Sequence, residues 1–258
     1  MNDVNYLKNN GIDVDAGLEF LADMEDYNDT LKEFVRLSSD RIAKLVTAKI
    51  TGDLEGYGII AHSIKGDSRY LGFTKLAEIA LEHENQGKAN DVEYIDNNFD
   101  NFIAEINRMV TISKKYLGNS LDEEENNGAT SAKKEKAILV ADDSEIIRNF
   151  IAKAIENDYD VIMASDGKQV IDIIEGSDGN RIKAMFLDLN MPDFGGFEVL
   201  KYFSDHKLFT NYPISIITGA DDKESIDKAF TYPIIDMLVK PFTEDDVRRI
   251  LERTINYK

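Results

Sequence analysis

Five residues in the second half of this 258-residue chain carry the side chains that a phosphoryl-accepting site requires: Asp142, Asp143, Asp188, Thr218 and Lys240. A carboxylate can attack phosphorus as a nucleophile, and neighbouring carboxylates can hold a hard divalent cation such as Mg²⁺ or Mn²⁺. A hydroxyl and an ammonium group can bind the phosphoryl oxygens. Together these side chains predict in-line transfer of a phosphoryl group to an aspartate, with the divalent ion as cofactor.

The first half of the chain holds a histidine in a second reactive setting. His62 lies in the segment AHSIKG at positions 61–66, with Gly58 and Gly66 one helical turn away on either side and Lys65 beside it. An interior helical glycine costs about 1 kcal/mol relative to alanine, so two of them predict a bare backbone ledge that lets a partner approach the imidazole. Neutral imidazole is a competent nucleophile, and Lys65 would offset phosphoryl charge. We therefore predict a second phosphoryl acceptor at His62.

The residues of the carboxylate site each follow or end a short apolar run. Such runs occur at 137–141, 159–163, 184–187, 213–217 and 234–239, and segments of helical periodicity separate them. Five strands that alternate with helices predict a parallel, doubly wound α/β sheet. Ligands bind at the carboxyl ends of the strands in such sheets, so we expect the five residues to meet at one edge.

Residues 1–118 show helical periodicity and contain no proline. Long amphipathic segments with short polar connections predict an all-α, antiparallel four-helix bundle, with an extra amino-terminal helix near 16–24. Residues 119–136 are almost entirely small, polar or charged, which predicts a flexible linker. We therefore expect domains at 1–118 and 137–258.

Composition excludes several classes of function. The net charge is −19, and the 21 acids and 13 bases of residues 1–118 leave no basic face for nucleic acid. The absence of cysteine excludes disulfides and thiolate zinc sites. No apolar stretch approaches the roughly 18 residues of a membrane span, so we expect a cytoplasmic protein without membrane insertion.

With its acidic pair, Asp188, Thr218-Gly219 and Lys240-Pro241 in order, the segment 137–258 resembles a response-regulator receiver domain over its whole length. The resemblance implies a flavodoxin-like (βα)5 fold in which Asp188 is the phosphorylated residue. It implies that Thr218 and Lys240 contact the phosphoryl oxygens and that the Lys240–Pro241 bond is cis. It also implies a domain that catalyses its own phosphorylation and dephosphorylation.

The same resemblance implies a Mg²⁺ site. Asp142 and Asp143 would hold the ion together with Asp188, and the main-chain carbonyl of Asn190 would complete the protein ligands. Met237 departs from the family pattern, because receivers commonly have Tyr or Phe three residues before the lysine. A flexible thioether side chain does not hold one rotamer well. We therefore interpret this receiver as one that transfers its phosphoryl group to a partner rather than one that signals phosphorylation through a change of conformation.

The segment from His62 to Gly72 resembles the motif of histidine phosphotransfer (HPt) domains. A histidine kinase dimerisation domain fits less well, because Ser63-Ile64-Lys65 does not match its acidic residue followed by Arg-Thr-Pro. The two resemblances imply a two-component phosphorelay protein. Its partners would be a histidine kinase or hybrid kinase and other receiver or HPt proteins.

Two alternatives remain open on the sequence alone. In the first, phosphorylation of the receiver changes how the bundle binds partner proteins, without productive transfer through His62. In the second, Asp188 is part of a Mg²⁺-dependent phosphoryl sink that drains a pathway by losing its phosphoryl group to water.

Overall fold

The computed structural model describes residues 3–118, 134–192, 194–219 and 223–257, and the chain divides into two compact units between Thr130 and Ser131. The last helix of the first unit ends at Leu117, and the first strand of the second begins at Ala137. Of the predicted linker 119–136, residues 119–133 lie outside the described part. The predicted domain boundaries therefore remain predictions.

The first unit is a bundle of four long helices, as the periodicity predicted. They are α3 (Met24–Thr51), α4 (Leu54–Tyr70), α5 (Thr74–Lys88) and α6 (Val92–Leu117). Connections of only two or three residues join them, which makes successive helices antiparallel neighbours. Aspartates at positions 23, 53 and 91 cap α3, α4 and α6 by accepting hydrogen bonds from backbone N–H groups of the first turn.

The amino-terminal region differs from the sequence prediction. Instead of one helix near 16–24, two short helices precede the bundle: α1 (Val4–Asn9) and α2 (Val14–Leu18). A single helix over residues 16–24 does not form, because α2 ends at Leu18 and Asp23 caps α3, so that Met24 already belongs to the next helix. The apolar residues that suggested one continuous helix therefore belong to two different elements.

The second unit is a five-stranded parallel sheet in the order β2-β1-β3-β4-β5. Its strands are β1 (Ala137–Ala141), β2 (Asp160–Ala164), β3 (Ile182–Asp188), β4 (Ile214–Gly219) and β5 (Asp236–Lys240). Its helices are α7 (Glu145–Ile155), α8 (Gly167–Glu175), α9 (Gly196–Asp205), α10 (Lys223–Ala229) and α11 (Glu244–Ile255). This order is that of flavodoxin-like doubly wound folds, which confirms the predicted class.

The burial of the strands explains why they could be recognised as apolar runs in the sequence. Every residue of β1 and β4 is buried, as are six of the seven in β3, whereas the edge strands β2 and β5 are only partly covered. Central parallel strands are covered by helices on both faces and therefore read as continuous apolar runs. The pairs α7–α11 and α8–α9 provide that cover. Within the described ranges, no helix is long and apolar enough to cross a membrane.

Candidate phosphoryl-acceptor sites

The sheet register brings the predicted carboxylate-site residues to one edge. Asp188 is the last residue of β3 and pairs with Ile217 of β4, while Gly219 pairs with Lys240 at the end of β5. Thr218 therefore lies between Asp188 and Lys240. Asp142 follows the end of the central strand β1 directly. The expected meeting of these residues is confirmed.

Lys240 bridges two of the aspartates. Its Nζ lies 2.6 Å from Oδ2 of Asp188 and 2.8 Å from Oδ2 of Asp142. Both aspartates are 0% exposed and Lys240 is 4% exposed. Because the group is almost fully removed from water, the two carboxylates depend on this ammonium for charge compensation.

The pKa values of the buried groups follow from this arrangement. Burial raises the pKa of Asp142 well above its usual range; Lys240 opposes this, and Asp188 and Asp143 add to it. Burial alone would lower the pKa of Lys240, but the three neighbouring carboxylates raise it well above its usual range. The site therefore has more negative charge than one lysine neutralises, and it favours a further proton or cation.

Asp142, Asp143 and Asp188 also fit a divalent ion. Each offers one carboxylate oxygen, and these oxygens lie within 4.8 Å of one another. Carboxylate oxygens around a pocket with excess negative charge form the donor set that Mg²⁺ or Mn²⁺ prefers. The three carboxylates are therefore compatible with such an ion, and their role as metal ligands stays a prediction.

The loop after β3 binds the Asp188 carboxylate from the side opposite Lys240. The backbone N–H of Asn190 donates to Oδ1 of Asp188 at 2.9 Å. The N–H of Gly196, the first residue of α9, donates to the carbonyl of Leu189 at 3.2 Å, and a Cβ at Gly196 would lie 2.3 Å from the carbonyl oxygen of Asp188. The loop thus folds back on Asp188 so closely that only glycine fits at position 196.

The remaining predicted residues of this site lie as follows. Thr218 is buried, and its hydroxyl donates to the carbonyl of Gly219 at 3.2 Å. The Lys240–Pro241 peptide bond is cis, which confirms the expectation. Met237 is partly buried against the apolar core of the sheet. Its effect on the response to phosphorylation stays a prediction, as does the role of the Asn190 carbonyl.

His62 lies in the middle of α4 and is bonded to a residue that the sequence did not single out. Its Nδ1 is 2.9 Å from Oε1 of Glu84 on α5, and Nζ of Lys65 is 2.6 Å from Oε2 of the same carboxylate. Lys88 reaches Oε1 from one turn further along α5, at 2.8 Å. One carboxylate therefore binds the histidine and two cations.

The bond to Glu84 assigns the proton of the neutral imidazole. A carboxylate only accepts hydrogen bonds, so Nδ1 of His62 carries the hydrogen and Nε2 has the free lone pair. Burial alone would raise the pKa of Glu84, but the hydrogen bond from His62 and the charge and hydrogen bond of Lys65 hold it well below its usual range. Glu84 is thus a carboxylate at neutral pH.

The prediction that the backbone at Gly58 is open to a partner approaching His62 is wrong. That residue lies against α5, where a Cβ would be 3.4 Å from the carbonyl oxygen of Glu84, whereas a Cβ at Gly66 would have no atom within 4 Å. His62 itself is 2% exposed, and its Nε2 has no hydrogen-bond partner among the described residues. Gly58 therefore faces α5 and does not leave the imidazole open to a partner.

Sequence reasoning missed two residues that contact the predicted acceptors or their neighbours. Glu84 lies on a different helix from His62, and no spacing along the chain pairs the two. Arg148 of α7 donates from its guanidinium to the main-chain carbonyl of Asp142. A helical projection of the segment after Asp143 would have placed Arg148 one turn above the helix cap at Ser144.

Family comparisons agree with the two units. Residues 138–252 match the model of the response regulator receiver domain, and residues 19–112 match that of the Hpt domain. The CAI-1 autoinducer sensor kinase/phosphatase CqsS of Vibrio cholerae is 33% identical over 114 residues, which are 43% of this chain and 16% of that protein. Response regulator RR06 of Streptococcus pneumoniae is 37% identical over 107 residues, which are 41% of this chain and 46% of that protein.

The matches therefore span less than half the length of these two relatives. Among solved structures, chemotaxis protein CheY4 of Vibrio cholerae is 25% identical; the match covers 47% of this chain and 99% of that one, with a TM-score of 0.42. The fold and the family models define a two-component signalling protein. More particularly, the chain combines an Hpt domain with a response regulator receiver domain, which is the domain pair of a phosphorelay protein.

Proposed function

We propose that this chain carries phosphoryl groups on Asp188 and His62 and exchanges them with a histidine or hybrid kinase and with other receiver or HPt proteins. The observation that carries the proposal is the edge of the receiver sheet, where Lys240 bridges Asp142 and Asp188 in a pocket that is short of positive charge. Lys240 can stabilise the charge of a phosphoryl group in transfer there, and the excess negative charge of the carboxylates is what a bound divalent ion would offset.

Asp188 supplies the nucleophile. One carboxylate oxygen is held by the N–H of Asn190 and the other by Lys240, which leaves the group little freedom to rotate. A carboxylate oxygen attacks phosphorus, the bond from phosphorus to the donor breaks, and an acyl phosphate forms. Lys240 and Thr218 then bind the phosphoryl oxygens. The receiver catalyses its own phosphorylation by these contacts. It catalyses its dephosphorylation by attack of water on the same phosphorus, which breaks the bond to the aspartyl oxygen, returns the Asp188 carboxylate and releases inorganic phosphate.

Asp142, Asp143 and Asp188 would hold Mg²⁺ or Mn²⁺, with the main-chain carbonyl of Asn190 as a further ligand. When bound, the ion neutralises charge on the phosphoryl oxygens. This assignment is supported by the carboxylate oxygens that lie within 4.8 Å of one another. It also accounts for three acidic residues in a pocket with one lysine.

His62 supplies the second acceptor. Nε2 attacks the phosphorus of an acyl phosphate on a receiver, the bond between phosphorus and the aspartyl oxygen breaks, and the carboxylate leaves. The imidazole gains positive charge in this step, and Glu84 stabilises that charge through Nδ1. Lys65 and Lys88 both bind Glu84, and we infer that their positive charge offsets the added phosphoryl charge at this site. Because Nε2 is buried, transfer requires a conformational change that exposes it.

The test is a chase of labelled phosphate in the full chain. Asp188 is labelled with a radioactive small acyl phosphate and Mg²⁺, the donor is removed, and the label is followed under alkaline quench. Alkali hydrolyses an acyl phosphate and spares phosphohistidine. The proposal predicts alkali-stable label that forms as the acyl phosphate decays, in the same molecule or in an added Asp188→Asn chain, and that is absent from His62→Gln.

Two other outcomes would replace the proposal. Rapid loss of label to inorganic phosphate, with none on His62 of this chain or of an added HPt protein, would make the receiver a phosphoryl sink. Signalling that survives His62→Gln but not Asp188→Asn would make the chain a phosphorylation-controlled binding protein. The expected cytoplasmic location is tested by cell fractionation.

A further inference from the structure

Helices α4 and α5 meet backbone to backbone at a pair of glycines. Gly58 and Gly87 are both buried, and a Cβ built on Gly87 would lie 2.8 Å from Cα of Gly58, 2.9 Å from the carbonyl oxygen of Leu54 and 3.0 Å from the nitrogen of Gly58. All three are main-chain atoms, which cannot rotate away. An alanine at position 87 would therefore push the two helices apart.

This contact lies beside the histidine site on both helices. Gly58 precedes His62 by one turn of α4, and Gly87 follows Glu84 by about one turn of α5. Because the helices are antiparallel, the glycine pair and the His62–Glu84 pair are successive contacts along one crossing. The spacing of the helix axes at the glycines therefore sets the distance that the Glu84 carboxylate has to span.

We infer that Gly87 is a positioning residue for His62 and acts through Glu84; this rests on the proposed role of His62 as phosphoryl acceptor. The carboxylate makes bonds of 2.9 Å to His62 and 2.6 Å to Lys65 at the same time. A separation of the helices by several tenths of an ångström takes one or both beyond good hydrogen-bond geometry. The imidazole then loses the acceptor that fixes its hydrogen on Nδ1.

The chain offers two matched control positions on α4. A Cβ at Gly58 would meet its nearest atom, the carbonyl oxygen of Glu84, at the ordinary distance of 3.4 Å, and a Cβ at Gly66 would meet nothing within 4 Å. Gly58→Ala and Gly66→Ala make the same change of side chain within a helix without forcing the helices apart. Any effect confined to Gly87→Ala therefore reports the helix spacing.

The experiment compares full chains with ¹⁵N-labelled histidine. Long-range ¹H–¹⁵N spectra at mildly alkaline pH give the tautomer of each of the three histidines, and His62→Gln assigns the His62 signals. The parent and both controls should show His62 with hydrogen on Nδ1, and Gly87→Ala should show a mixture of tautomers. The initial rate at which His62 accepts label should fall about tenfold in Gly87→Ala relative to Gly58→Ala, as expected for a lost hydrogen bond to a charged group.

A second variant keeps the inference testable if Gly87→Ala folds poorly. Glu84→Asp withdraws the carboxylate by one methylene and leaves the glycine contact intact, and it should mix the tautomers in the same way. When both changes are combined, Gly87→Ala should have no further effect on the tautomer or the rate, because both act through one bond.

The outcomes separate the inference from the function on which it rests. An unchanged His62 tautomer in Gly87→Ala or in Glu84→Asp, or equal and additive losses at positions 58 and 87, would overturn the positioning role. A parent chain that never labels His62 would overturn the proposed function, whatever the spectra show.

Discussion

Lys240 is the cation on which the acidic site of the receiver depends. Replacing it with Met removes the charge and leaves Asp142 and Asp188 buried without compensation. Breaking a buried ion pair in this way costs about 3–5 kcal/mol, so Lys240→Met should destabilise the receiver by that order. Added Mg²⁺ should recover part of the loss, because the same carboxylates can bind it.

Chemical denaturation of the full chain, with the receiver followed by hydrogen exchange of β1 and β3, measures this effect. Lys201→Met is the matched control, because Lys201 pairs with Asp205 on the exposed face of α9. The control should change stability little. Equal stability of the two variants would show that the Lys240 bridge is not needed.

His83 gives the HPt bundle a defined pH dependence. It is fully buried, with Nδ1 2.7 Å from the hydroxyl of Tyr57 and its ring stacked on Phe102, and burial lowers its pKa from 6.5 to about 4. An unfolded histidine binds a proton near pH 6.5, whereas folded His83 binds it only near pH 4. The unfolded state therefore binds more protons between these values, and stability falls as the pH falls.

The expected loss from pH 7 to about 4 is roughly 2–3 kcal/mol, from the size of the shift. Urea denaturation of the full chain between pH 7 and about 5.5, where the carboxylates of the unfolded chain remain mostly ionised, should already show about 1 kcal/mol of this loss. The loss over this window should be clearly smaller in His83→Gln. An NMR titration in which His83 binds its proton at the pH of a free imidazole would contradict the prediction.

At the scale of elements, the acceptor loop between β3 and α9 depends on one close backbone contact. In Gly196→Ala the new Cβ would lie 2.3 Å from the carbonyl oxygen of Asp188, so the loop has to move and the carboxylate moves with it. Catalytic groups displaced by about 1 Å lose on the order of 10²-fold in rate, and phosphorylation of Asp188 by a small acyl phosphate should slow by at least about tenfold.

Gly195→Ala serves as the control for this loop. A Cβ there would lie 3.1 Å from the end of the flexible Glu198 side chain and 3.3 and 3.4 Å from the main-chain oxygens of Met191 and Leu189, so a shift of a few tenths of an ångström accommodates it. Its rate of phosphorylation should stay within about threefold of the parent, because this shift is small compared with the one that Gly196→Ala requires. A Gly196→Ala chain that is phosphorylated as fast as Gly195→Ala would contradict the prediction.

The elements also show where sequence reasoning succeeds and where it stops. Asp188, Thr218 and Lys240 could be assigned to one site because they end apolar strands, and parallel strands bring their carboxyl ends to a common edge. Glu84 could not be assigned to the His62 site from the sequence, because its contact with His62 depends on how closely α4 and α5 cross. That distance is set by the contact of Gly87 with the main chain of α4, and nothing in the sequence indicated this contact.

At the amino terminus the failure has a different cause. The apolar periodicity of residues 16–24 continues across a helix end, and only the side chain of Asp23, which accepts hydrogen bonds from the N–H groups of Glu25 and Asp26, marks the break. Capping residues are as common in turns as at helix starts, so the pattern alone did not decide between them.

At the scale of the whole molecule, the pairing of the two domains was predictable from two motifs with different chemistry. Each proposed acceptor belongs to an ionic network: Asp188 with Asp142 and Lys240 in the receiver, and His62 with Glu84 and two lysines in the HPt bundle. Both networks are fixed within their own fold, so each acceptor should remain competent when the other is removed.

Site-resolved phosphorylation of the full chain tests the central claim most directly. The parent, Asp188→Asn, His62→Gln and the double variant are incubated with a labelled acyl phosphate, Mg²⁺ and a phosphorylated partner receiver, and the label is separated by its stability in alkali. We predict alkali-labile label on Asp188 in His62→Gln, alkali-stable label on His62 in Asp188→Asn, and none in the double variant. Label in the double variant equal to that of the parent would contradict the assignment of both acceptors.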